Sequence, residues 1–147
     1  MKKLLVALLF CGLFCGCAAQ MSDLQRRSIE SKELEGSVDT AFKATMAVLQ
    51  DRGFVIKHTD TTSGVIQAET GMKSGFLMQY NFMITATLEQ FGENRVKERI
   101  TISKNVVVQG MYGSRSENTE IVDDPKQLQE IYEQIQKEIF VRQNLAK

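Results

Sequence analysis

Hydrophobic residues follow three regimes along this chain. Leu4 to Phe14 is an almost unbroken apolar run behind Met1, Lys2 and Lys3. From Ala18 to about Glu35 only Met21, Leu24, Ile29 and Leu34 interrupt polar and charged residues. They are too sparse for a core face, so this stretch is read as a polar tether with some helical character. After Gly36 the pattern turns periodic. Val38, Ala41, Phe42, Thr45 and Leu49 recur at three- and four-residue steps and make one helical stripe. Ser37 supplies its N-cap, Arg52 a cation in the last turn and Gly53 the left-handed cap. Near the end of the chain, Asp124 caps a second helix with Pro125 in its first position. Leu128, Ile131, Tyr132, Ile135 and Ile139 form that helix's stripe.

Between the helices the period is two. Phe54, Ile56 and His58 alternate in a first strand, and Asp60-Thr61-Thr62-Ser63-Gly64 is turn chemistry. Val65 to Thr70 is a second strand with Ile66 and Ala68 on one face, followed by a flexible connection from Gly71 to Gly75. Tyr80 to Glu89 alternates most clearly: Phe82, Ile84, Ala86 and Leu88 point inward, Met83, Thr85 and Thr87 outward. After a turn over 91–94, Arg95 to Val108 sends Val96, Ile100 and Ile102 inward and Arg95, Lys97, Arg99 and Thr101 outward. Glu98 falls on the inward side, which suits a place at the sheet's end, near water or an arginine. Gln109 to Asp123 reads as a polar loop. Short connections imply an antiparallel meander, and its polar outer face leaves both helices for the other side. The expected architecture is α+β: a two-layer sandwich of a four-stranded antiparallel meander with two helices on one face, in the order αββββα.

The N-terminal run is about half the ~20 residues that span a bilayer as a helix. With two lysines before it, it reads as the core of an export signal. Leu13-Phe14-Cys15-Gly16-Cys17 resembles the lipobox of bacterial lipoproteins. Gly16 is the small residue beside the cut, and Phe14 and Cys15 depart from the usual residues before it. The resemblance implies acylation of Cys17 and removal of residues 1–16; with the polar stretch before Gly36, the mature chain divides into a tether over 17–35 and a domain over 36–147. Ala18, rather than aspartate, follows the cysteine. By the same resemblance this favours the outer membrane, facing the periplasm, in a cell that has one. Each buried methylene of an acyl chain contributes about 0.8 kcal/mol, so two or three chains hold a protein almost permanently.

The segment Gly53-Phe54-Val55-Ile56, followed by Ser63-Gly64-Val65-Ile66 after an apolar helix, resembles the helix-grip-like domains of small envelope lipoproteins, among them BamC-type accessory lipoproteins. The likeness covers roughly residues 36–145 and a single domain.

Cysteine usage narrows the chemistry. The three cysteines, Cys11, Cys15 and Cys17, all lie at or before the expected cut. The mature domain therefore has no internal disulfide, thiolate metal site or cysteine nucleophile. Formal net charge is zero; with Lys2 and Lys3 gone from the 18 basic residues, 16 remain against 18 acidic ones. No basic excess is left for nucleic acid. The lone histidine, His58, lacks a Gly-x-Ser-x-Gly nucleophile. Glu117, Glu120, Asp123 and Asp124 read as a solvated acidic loop, with Asp124 used as a cap. Gly71 and Gly75 lack the Gly-Lys-Ser/Thr of a phosphate loop. Glu89, Glu93 and Glu98 flank the turn between the third and fourth strands, where paired carboxylates would serve glycoside hydrolysis, but hairpin ends are commonly charged. No cofactor or metal is expected.

A surface is more informative. In a meander, Met72, Phe76, Leu77 and Met78 lie at the same end as Val108, Met111 and Tyr112. Together they form a candidate partner-binding patch on glycine-punctuated segments. The first helix begins at the opposite end, which puts the anchor and the patch at opposite poles. The expectation is a non-enzymatic, membrane-anchored binding or scaffold subunit with a protein partner in the envelope. A carrier or sensor of a small apolar ligand is the alternative, and a cell-wall hydrolase a weaker one.

Overall fold

The computed structural model describes residues 22–75, 78–110 and 114–145. Ser22 caps α1 (Asp23–Glu30) through a capping box with Gln25. β1 (Ser31–Glu35) follows directly. α2 (Val38–Asp51) starts at Ser37, whose hydroxyl accepts the Thr40 amide, as its sequence predicts. It ends at Gly53, with φ of +82°. Then come β2 (Val55–Asp60), β3 (Val65–Glu69), β4 (Lys73–Gly75), β5 (Met78–Gln90), β6 (Arg95–Gln109) and β7 (Arg115–Ile121). α3 (Pro125–Leu145) closes the fold, with Asp124 accepting the amides of Lys126 and Gln127.

The class is α+β with a wholly antiparallel sheet, but the described residues make seven strands and three helices rather than four and two. The main path is β1-β6-β5-β3-β2, with β4 added to β5 and β7 to β6. Three strands were hidden in sequence for one reason: none alternates. β1 has a single buried side chain, Leu34, and β4 and β7 have none. They are strands because they pair with the central hairpin, not because they bury a face. Residues 22–35, expected as tether, thus form α1 and β1, with Leu34 deep in the core. About half of the expected loop after β6 is β7.

The core is one cluster. Ile66, Ala68, Ile84, Ala86, Leu88, Val96, Ile100 and Ile102 meet Phe42, Leu49, Leu128, Ile131, Ile135 and Ile139 from the two long helices. Every inward position expected on β5 and β6 faces these helices. The Tyr132 hydroxyl donates to the Glu30 carbonyl and accepts the Ile100 amide at 3.1 Å. β1 pairs Ser31 with Arg99, so Glu30 and Ile100 would be the next rung. Where α1 leaves the ladder, that hydroxyl spans the gap.

The β5–β6 hairpin is the long axis. β6 has 15 residues, about 50 Å of strand. Its turn half is flanked by β3 and β1 and lies under the helices. Its other half is flanked by β4 and β7, and there the core cluster stops at Phe82.

Candidate functional site

Two surfaces and one buried group stand out. The first surface is the far half of the hairpin. Met78 pairs with Val108, Tyr80 with Val106 and Phe82 with Lys104. The first two pairs continue the inward face past the core, which ends at Phe82. Tyr80 and Phe82 meet edge to face, and the Lys104 ammonium lies 5.1 Å from the Tyr80 ring centre. Met72, Met78 and Val108 are 56%, 44% and 41% exposed. The register brings the two segments of the expected patch to the same end. Phe76, Leu77, Met111 and Tyr112 lie outside the described residues, as does Cys17. Tyr80 and Val106 were not singled out beforehand, although the period-two pattern of β5 already put Tyr80 on this face.

The second surface is a cleft of about 980 Å³ on the opposite, open face of the sheet. α1 forms one wall with Arg27 and Ser28, and the β2–β3 turn, Thr61 to Gly64, forms the other. Thr87, Glu89, Lys97 and Arg99 make the floor. It went unnoticed in sequence because its wall belongs to the stretch read as tether. The Arg99 guanidinium pairs with the buried Glu30 carboxylate at 2.7 Å.

Glu98 points inward as the alternation demands, but it is fully buried mid-sheet and meets no arginine. The reason is its register: Glu98 pairs with Leu88 and Lys32, inside the helix-covered half. One oxygen lies 2.8 Å from the Thr45 hydroxyl, and the other has no partner. Burial pushes its carboxyl up to about 8, against a weaker opposing pull from Thr45. The geometry accommodates a neutral carboxyl. The Thr45 hydroxyl also lies 2.9 Å from the Ala41 carbonyl, and one hydroxyl has one hydrogen. Both contacts are satisfied when Thr45 donates to Ala41 and a protonated Glu98 donates to Thr45.

The remaining titratable groups do not assemble into a reactive centre. Glu89 faces the open side and Glu98 the helices, so the carboxylates considered for hydrolysis do not converge. His58 is exposed, because a bulge between Ile56 and His58 breaks the alternation that pointed it inward. Asp60 accepts from the Ser63 hydroxyl and the Thr62 and Ser63 amides, which hold its carboxyl below the ordinary value. Asp123 pairs with Arg26 at 3.1 Å. Among the described residues no cluster of three histidine, cysteine or carboxylate side chains could hold a metal, and no helix is long and apolar enough to cross a membrane.

No protein-family model and no curated protein significantly matches the chain.

Proposed function

We propose that this chain is an envelope lipoprotein, held in the membrane by acyl groups on Cys17, that acts as a non-enzymatic binding or scaffold subunit of an envelope assembly. The partner docks on the far half of the β5–β6 hairpin. One observation carries the docking surface. Beyond Phe82, where the core ends, Met78, Tyr80, Val106 and Val108 continue the inward sheet face, with Met78, Val108 and neighbouring Met72 exposed. Apolar faces of this kind, with adaptable methionines, are ordinarily covered by a partner. The carrier alternative needs room between helices and sheet, where Leu49, Ile66, Ile84, Ile100, Ile131 and Ile135 are fully buried against one another. That filled interior supports a surface role. Likeness to BamC-type accessory lipoproteins points the same way.

The test is affinity capture of the lipidated protein from detergent-solubilised envelopes, beside a Met78→Ser/Val108→Ser variant. Both side chains are close to half exposed and lie outside the core cluster, so the fold should survive. Loss of one partner in the variant supports the surface; unchanged capture rules it out.

A further inference from the structure

We infer that the open sheet face, with α1 at its edge, lies against the bilayer that holds the Cys17 lipid and receives anionic phospholipid headgroups in its cleft. The inference rests on acylation of Cys17. Only four residues lie between that cysteine and Ser22, at most about 18 Å of chain. The domain does not swing on a long tether, because α1 is fixed to it. Arg26 pairs with Asp123, Glu30 with Arg99, and the Tyr132 hydroxyl holds the Glu30 carbonyl. Whichever face lies nearest α1 is therefore held close to the membrane.

The chemistry of that face suits a headgroup layer. Leu24, Arg27 and Ser28 share one side of α1 at three- and four-residue spacing. Leu24 is 79% exposed in the first turn after the anchor, placed to enter the boundary between headgroups and acyl chains. One turn on, Arg27 forms the cleft wall, and Lys97 lies on the floor. Neither cation has an ion pair among the described residues, whereas Arg99 and Arg95 are engaged by Glu30 and Glu33. Hydroxyls of Ser28, Ser31 and Thr87 surround them. Glu89 is the one carboxylate lining the cleft, beside Lys97 in the ladder. Two free cations among hydroxyls are donors for phosphate oxygens. No aromatic ring lines the cleft to stack on a sugar.

Lipidated Cys17 is the mature protein's only cysteine, so one introduced thiol takes one fluorophore. Ser28→Cys labels the cleft wall, and Gln50→Cys labels exposed α2 across the sheet. The labelled lipoprotein is reconstituted in vesicles of phosphatidylethanolamine and phosphatidylglycerol that carry a headgroup quencher. Strong quenching at position 28 with little at 50 is expected. The difference should be lost in Arg27→Glu/Lys97→Glu protein and in phosphatidylcholine vesicles. Equal quenching at both positions, in protein that floats with the vesicles, overturns the apposition and leaves the anchor standing. Protein that does not float overturns the anchor, and the apposition with it.

Discussion

Glu98 is the side chain whose chemistry departs furthest from its exposed counterpart. Unfolded, it loses its proton near 4.5; folded, it keeps it until about 8. The unfolded state therefore binds fewer protons than the native state between those values, and stability falls as pH rises through that window. The contribution is complete below about 4.5, declines steadily, and is gone above about 8. Glu98→Gln keeps the neutral shape and cannot ionise. It should flatten this part of the profile and stabilise the protein at pH 8.5 by about 1–3 kcal/mol. Urea unfolding of both proteins at pH 5, 7 and 8.5 checks this; parallel profiles would mean that Glu98 is charged in the native state. The inward position was readable from alternation. Its distance from the sheet's end was not, because β1 and its pairing to this half of β6 carry almost no apolar pattern.

Tyr132 shows how one side chain joins elements. Tyr132→Phe keeps the ring but orphans the Ile100 amide and the Glu30 carbonyl, and should cost about 1–3 kcal/mol in thermal or urea unfolding. Gly64 is constrained at the β2–β3 turn. Its φ is +68°, and an added Cβ would lie 2.1 Å from the Leu88 carbonyl oxygen. Gly64→Ala should destabilise by more than about 2 kcal/mol, since backbone rather than a flexible side chain must move. Unchanged unfolding midpoints would contradict either placement. The elements legible in sequence, α2, α3, β3, β5 and β6, each bury one face and carry its period. β1, β4 and β7 are stabilised by ladder hydrogen bonds to a neighbour already in place, and pairing of that kind leaves no hydrophobic trace. The His58 bulge is of the same class, because one inserted residue flips every later side chain without changing composition.

At the scale of the whole molecule, the hairpin organises everything else. Its turn half is buried beneath two helices and its far half is not, which separates a stability-bearing end from the proposed docking end. The anchor and patch were expected at opposite poles. The start of α2 does lie at the turn end, where the Gly36 amide donates to Asn94. The chain, however, enters through α1, held by Asp123 where β7 runs into α3. On the proposed apposition the membrane lies beside the sheet rather than beyond its turn. The patch was only half legible. Pairing of Met78 with Val108 follows from meander topology, whereas the cleft on the other face depends on a helix that reads as tether. Met78→Ser/Val108→Ser should leave unfolding within about 0.5 kcal/mol of wild type, as exposed positions do, while removing the captured partner.

The direct test of the anchor is intact-protein mass spectrometry on material extracted from membranes of the expressing cell. A mature chain beginning at Cys17 and heavier by two or three acyl chains is the expected result. A chain cut elsewhere, or a Cys17 with a free thiol in protein that washes off in buffer, would contradict it.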